Sequence, residues 1–124
     1  MKVKQLLMKK KAIIFGISGQ DGAYLANFLI NHTYDVIGTT RNLSKKNLFR
    51  LKKLNISKKI KLLKGTALDI KFLKKLFNQN KDTKEVYYLA GHSSVINSFA
   101  FPEESLKSNA FGILNILINI KNIN

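Results

Sequence analysis

The chain contains no cysteine and no tryptophan, and only one of its 124 residues is proline. Without cysteine there can be no disulfide framework, no thiolate metal site and no thiol nucleophile. Long apolar runs are also missing. No uninterrupted stretch approaches the roughly 18 residues that a membrane-spanning helix requires. The basic start runs into a short apolar segment, residues 12–17, that reaches glycine at once, without the longer core and small-residue cleavage site of a signal peptide. These features lead to the expectation of a cytoplasmic protein with no membrane partner.

Carboxylates are scarce too. Seven Asp and Glu stand against 22 Lys and Arg, giving a net charge of +15. Such a charge invites a nucleic-acid reading. However, only Arg41 and Arg50 are arginines, and the lysines are spread over nearly the whole chain. Nucleic-acid readers favour the planar arginine fork and cluster charge with stacking aromatics. Here Lys rises together with Asn and Ile, a compositional drift that would put exposed lysines on any fold. No nucleic-acid partner is expected.

The 45% hydrophobic content is that of a globular chain. Hydrophobic periodicity divides it into alternating strand-like and helix-like pieces. Strands are predicted at 11–15, 34–39, 59–63 and 85–90. Helices are predicted at 20–31, with Tyr24, Leu25, Phe28 and Leu29 at helical spacing; at 46–54, with Leu48, Phe49, Leu51 and Leu54; and around Phe72, Leu73, Leu76 and Phe77. A last helix should open at Pro102, Glu103 and Glu104, with an apolar face through Leu106, Ala110, Ile113, Leu114 and Leu117. This alternation predicts an α/β fold: a doubly wound, Rossmann-type parallel sheet of about four strands with helices on both faces. The first strand should lie between the second and the fourth. Residues 1–10 read as a basic extension, with Met1 or Met8 as the start, and 11–124 as one domain. The sequence stops within a helical pattern, so the domain is expected to be truncated.

Between the first strand and the first helix lies Gly16-Ile17-Ser18-Gly19-Gln20-Asp21-Gly22. In that position a GxxGxxG can turn the chain tightly at Gly16, admit a pyrophosphate at Gly19 and let helix and strand approach at Gly22. The helix start adds free N–H groups for phosphate. The alternative is that these glycines merely turn the chain. NAD binders usually carry a carboxylate after the second strand, to take the ribose 2′-OH. Here that segment is Gly38-Thr39-Thr40-Arg41-Asn42, and Asp35 lies at the strand's far end. Arg41 therefore points to NADP, by offering a fork to a 2′-phosphate; otherwise it is one more solvated cation.

Gly16 to Leu25, reading Gly-Ile-Ser-Gly-Gln-Asp-Gly-Ala-Tyr-Leu, resembles the opening of the GDP-mannose 4,6-dehydratases, members of the extended short-chain dehydrogenase/reductase family. Gln20-Asp21-Gly22 is the distinguishing triplet. The likeness continues through Gly38–Arg41, the Asp69 region, Tyr87–Val95, and Ser98 to Asn115. It implies that Gly16, Ser18, Gly19, Gln20, Asp21 and Gly22 line the pyrophosphate and that Arg41 binds the adenosine phosphate. Asp69 would accept from the adenine amino group with Ile70 beside the ring, although Asp69 would equally serve as a helix N-cap. Leu89, Ala90 and Gly91 would pass under the cofactor, and Ser93 would face the nicotinamide unless it only caps a turn.

The implied activity is conversion of GDP-mannose to GDP-4-keto-6-deoxymannose through transient hydride transfer to NADP, in a full-length enzyme that is a homo-oligomer. Another extended-family epimerase or dehydratase, and a non-catalytic NADP-binding module, are the alternatives. The family's catalytic Ser/Thr and Glu, and its Tyr-x-x-x-Lys, have no counterpart. Tyr24, Tyr34, Tyr87 and Tyr88 are followed at the fourth position by Phe28, Gly38, Gly91 and His92. No catalytic residue is therefore assigned, and the chain alone is expected to be inactive. His92 replaces a common Gln, and Gly65-Thr66-Ala67-Leu68-Asp69 replaces a Gly-Asp-Leu-like turn. With no carboxylate near His92, no metal site is expected. His32 reads as a helix-terminus cation.

Overall fold

The computed structural model describes residues 9–90, 103 and 107–123. Within them the chain runs β1 (Lys11–Phe15), α1 (Gln20–Asn31), β2 (Asp35–Thr40), α2 (Phe49–Lys53), β3 (Ile60–Lys64), α3 (Ile70–Gln79), β4 (Thr83–Tyr88) and α4 (Gly112–Ile123). A 3-10 turn, Ser57–Lys59, precedes β3, and a π-helical turn, Lys107–Phe111, leads into α4. The four strands form one parallel sheet in the order β3-β2-β1-β4. The doubly wound arrangement and the central place of β1 agree with the sequence reading.

β1 is enclosed on both faces, so every residue from Ala12 to Phe15 is apolar and fully buried. Its side chains alternate. Ala12 and Ile14 join a core with α1 and α2 that includes Ala23, Ala26 and Leu51. Ile13 and Phe15 join the opposite core with Leu73, Phe77 and Ile116 from α3 and α4. The Phe15 ring lies 6.4 Å from that of Phe77 and 6.3 Å from that of Tyr88. At the sheet's lower rim Lys11 Nζ donates to Asn80 Oδ1 at 3.2 Å and pairs with Asp82 at 3.0 Å.

Several expectations need correction. β2 and β3 each begin and end one residue later than predicted, and β4 runs Thr83–Tyr88, leaving Leu89 and Ala90 beyond it. In α1 the sheet-facing residues are Gly22, Ala23, Ala26 and Leu29, whereas Tyr24 and Phe28 are exposed. Small side chains face the sheet because the helix sits close to it, and Phe28 stacks on His32 instead, with centroids 4.1 Å apart. Only Phe49–Lys53 of the predicted 46–54 helix is helical, and Phe49 is exposed beside buried Leu48 and Leu51.

The final helix shows a different inner face from the one expected. Ile116 is buried and Gly112 packs against the Tyr88 hydroxyl, while Ala110, Ile113, Leu114 and Leu117 are exposed. α4 is apolar on nearly every side, so periodicity does not select a face. Contacts do, including Asn115 Nδ2 donating to Ala67 O at 2.9 Å. Pro102, Glu104 and Leu106, named for the start of that helix, lie outside the described residues.

Candidate cofactor site

The loop leaving β1 is drawn across the end of β2. Gly16 N and Ile17 N both donate to Thr39 O at 3.1 Å. Gly16 has φ +86°, a conformation costly for side-chain-bearing residues, and a Cβ there would lie 2.7 Å from the Leu89 carbonyl carbon. Leu89 is held against the same turn by its N–H, which donates to Phe15 O at 2.8 Å. The exits of β1 and β4 therefore meet at the carboxyl edge of the sheet. There the chain order reverses direction, the topological switch point at which open α/β sheets form their crevice.

The three glycines differ in what surrounds them. A Cβ on Gly22 would lie 2.2 Å from Gly16 O, so this glycine serves the close packing of α1 on the loop. A Cβ on Gly19 would have no closer neighbour than Gly16 O at 3.6 Å. Protein packing thus does not require glycine at position 19, which leaves its backbone open to approach by a ligand. Gly19 is the N-cap of α1 and supplies no side-chain cap. The N–H groups of Gln20, Asp21 and Gly22 find no acceptor among the described residues. Three unspent donors at a helix start, beside an open glycine cradle, fit the phosphates of a dinucleotide. The side chains of Gln20 and Asp21 are exposed.

A polar network shapes the end of β2. Ser18 Oγ and Thr40 Oγ1 are 2.9 Å apart, and Asn47 Nδ2 donates to Thr40 Oγ1 at 2.9 Å. Asn42 Oδ1 accepts from Ser44 N at 2.8 Å, closing the turn after Arg41. The Arg41 side chain is exposed and has no partner among the described residues. Asp35 stands at the other end of β2, so no carboxylate accompanies Arg41. Arg50, which the sequence reading did not single out, reaches this loop: its Nη1 donates to Ser18 O at 3.4 Å, and its guanidinium lies 4.7 Å from the Phe49 ring centroid. Its one sequence signal was being the chain's second arginine.

Asp69 caps α3 by accepting from Phe72 N at 3.1 Å through Oδ1. Its Oδ2 has no partner among the described residues, so capping leaves an oxygen for a second role. Ile70 beside it is 57% exposed. The unusual segment before Asp69 has a structural use: Thr66 Oγ1 accepts from Leu68 N at 3.2 Å, and buried Ala67 receives the bond from Asn115. The structure thus brings Gly16, Ser18, Gly19, Gln20, Asp21, Gly22, Arg41, Asp69, Ile70, Leu89 and Ala90 to the carboxyl edge of one sheet. Gly91 and Ser93, together with His92, lie outside the described residues. His32 ends α1 as expected, with Nδ1–H donating to Phe28 O at 2.8 Å. Among the described residues no three His, Cys, Asp or Glu side chains gather as a metal site, and no helix is long and apolar enough to cross a membrane.

The model of the family described as GDP-mannose 4,6 dehydratase matches residues 13–124. The chain belongs to the GDP-mannose 4,6-dehydratase family. A Drosophila melanogaster GDP-mannose 4,6 dehydratase is 40% identical over 118 residues, covering 90% of this chain and 30% of that protein. The chain therefore spans about a third of the length of the curated dehydratases it matches. Among solved structures, an epimerase from Methanothermobacter thermautotrophicus superposes with a TM-score of 0.78 at 25% identity, covering all of this chain and 35% of that one. A Bordetella bronchiseptica enzyme in complex with NAD+ gives 0.72 at 19% identity, covering 94% and 37%, a likeness of fold. The dehydratase family is thus read from sequence, and its Rossmann-type sheet from structure.

Proposed function

We propose that this chain forms the NADP-binding part of a GDP-mannose 4,6-dehydratase acting in the cytoplasm. The carrying observation is the carboxyl edge of the sheet, where an open Gly19 cradle with three unspent amides lies beside a β2 end that bears Arg41 and no carboxylate. In this reading the Gly16–Gly22 loop holds the pyrophosphate through backbone N–H groups. Arg41 takes the 2′-phosphate, Asp69 Oδ2 the adenine amino group, and Ile70 the ring face. Leu89 and Ala90 pass beneath the ribose, with Gly91 and Ser93 continuing towards the nicotinamide. NADP supplies a hydride acceptor that is restored within one turnover, while this segment's own residues bind and orient it.

GDP-mannose is the substrate of the whole enzyme, and a homo-oligomer is its form. The chain by itself lacks activity, because none of its tyrosines is followed four residues later by lysine. The test is a titration with NADP+ and NAD+. A charge-assisted phosphate contact contributes about 1.5–3 kcal/mol, or roughly tenfold or more in affinity. NADP+ should bind more tightly by that factor, and Arg41→Ala should remove most of the preference while leaving NAD+ binding nearly unchanged. Equal affinities in the unaltered chain would overturn the reading.

A further inference from the structure

We infer that the groove between α3 and α4 is a docking site for an extended peptide segment of a partner protein, one that carries a carboxylate. The groove encloses about 480 Å³ and is lined mainly by carboxamides, Asn78 from α3 and Asn115, Asn119 and Asn122 from α4. Lys74 is its only charged member, and Ile70 and Ile118 are its apolar ones. Ile70, given above to the adenine ring, stands at the end beside Asp69. Lys74 and Asn78 follow one and two turns further along α3, away from the cofactor edge of the sheet.

The carboxamides carry unspent hydrogen-bonding groups. Asn115 Nδ2 donates to Ala67 O at 2.9 Å, and Asn119 Nδ2 donates to Asn115 O at 2.8 Å. These bonds fix both half-buried side chains, yet each keeps an Oδ1 and a second N–H without a partner among the described residues. Asn78, Asn122 and Lys74 have no side-chain partner there at all. A peptide group offers the complement, one N–H and one C=O. Asn115 and Asn119 are about 6 Å apart along the helix axis. Alternate residues of an extended chain repeat at about 6.6 Å, so consecutive peptide groups on one edge of it fall opposite the two carboxamides. The 12 residues of α4 span about 18 Å, the length of about five extended residues. Charge then selects among peptides. α3 and α4 carry Lys71, Lys74, Lys75 and Lys121 but no Asp or Glu, in a chain of net charge +15. Exposed Lys74, set among the carboxamides, supplies the charge-assisted contact that a peptide carboxylate takes and a basic peptide cannot.

The experiment measures fluorescence anisotropy of a labelled, end-blocked Thr-Glu-Thr-Glu-Thr peptide with the 124-residue chain at fixed salt, and circular dichroism confirms the fold of each variant. The peptide should bind, while Thr-Lys-Thr-Lys-Thr should not. N-methylation of alternate backbone nitrogens in the acidic peptide should weaken it about tenfold, as should Asn78→Ala combined with Asn122→Ala. Lys74→Ala should weaken it at least about fivefold, whereas Lys75→Ala, the same charge change outside the groove, should shift it less than about twofold. Three results would overturn the inference. One is no binding of the acidic peptide. Another is equal loss in Lys74→Ala and Lys75→Ala with N-methylation tolerated, which reduces the attraction to net charge. The third is a change in oligomeric state in the double asparagine variant with peptide affinity unmoved, which gives the groove to a second copy of the chain.

Discussion

At the scale of single residues, Gly19 and Gly22, three positions apart at the start of α1, have different reasons to be glycine. A methyl group on Gly22 would lie 2.2 Å from Gly16 O and 2.8 Å from Ile17 Cα, both backbone atoms that cannot move aside independently. Gly22→Ala should cost about 1–3 kcal/mol or more in urea unfolding, as overpacked sites do. Gly19→Ala meets nothing closer than 3.6 Å and keeps an ordinary extended backbone with φ −72°. It should cost less than about 1 kcal/mol, yet weaken dinucleotide binding. Full stability in Gly22→Ala, or unimpaired binding in Gly19→Ala, would contradict these roles. The spacing of the motif announced all three glycines, but only the packing separates the one the fold needs from the one left open. The sequence offered no such sign for Tyr34, Glu85 and Tyr87, which become neighbours only when β1 is laid between β2 and β4. Tyr34 donates to Glu85 Oε2 at 2.6 Å, and the Tyr87 hydroxyl donates to Oε1. These bonds hold the Glu85 carboxyl below its usual range, raise Tyr34, and push Tyr87 up to about 12, chiefly through the bond to Glu85. A lowered carboxyl stabilises above its unfolded pKa and loses that contribution as pH falls through the folded value. A raised phenol stabilises below its unfolded pKa of about 10 and loses it as pH rises towards 12. Stability should therefore fall at both ends, below about pH 4 and above about pH 10, and Glu85→Gln should flatten both limbs. Unchanged limbs in that variant would rule the cluster out as their cause.

At the scale of elements, legibility followed the number of faces each element buries. β1 reads as a strand because it is apolar at every buried position, and its predicted bounds coincide with those observed. α3 reads equally well, since Leu73, Leu76 and Phe77 form the buried side of a helix that also carries Lys71, Lys74, Lys75, Asn78 and Gln79. α2 was overestimated: Ser44 Oγ and the Asn42 and Asn47 side chains organise residues 42–47 as turns, using local bonds that compete with helix. α4 failed for the opposite reason, having too many apolar residues rather than too few. Its inner side is Gly112, Ile116 and Ile120, with Asn115 bonded across to Ala67. The spacing of Ile113, Leu114 and Leu117 fits a helix just as well, and nothing in the pattern says which stripe meets α3. Ile116→Ala should therefore cost about 2–5 kcal/mol, whereas Leu117→Ala, at a 55% exposed position, should change stability by less than about 0.5 kcal/mol. The reverse order in chemical denaturation would restore the stripe read from the sequence.

At the scale of the whole molecule, a net charge of +15 is set against two apolar surfaces. One is the outer side of α4, where Phe111, Leu114, Leu117 and Ile118 are each at least half exposed and Lys121 is the helix's only charge. The other is the outer side of β4, last in the strand order among the described residues, with Val86 and Tyr87 only partly covered. Lys84 does fall within that strand, at the point where its register with β1 shifts between Lys11 and Ala12, so that side is blunted only near its start. Like charge keeps copies apart while the screening length is long, about 30 Å at 0.01 M salt, and this protection shrinks to about 3 Å at 1 M. Apolar contact gains as the repulsion is screened. Light scattering across that salt range should show a single small species at low ionic strength and growing assemblies as salt rises. Leu114→Lys combined with Leu117→Lys places charge on the helix surface without touching the strand. If the helix side drives association, these substitutions should move its onset to markedly higher salt. If the onset stays where it was, the outer side of β4 is the sticky surface. A chain that remains monodisperse up to 1 M salt would show that neither surface is available to a second copy.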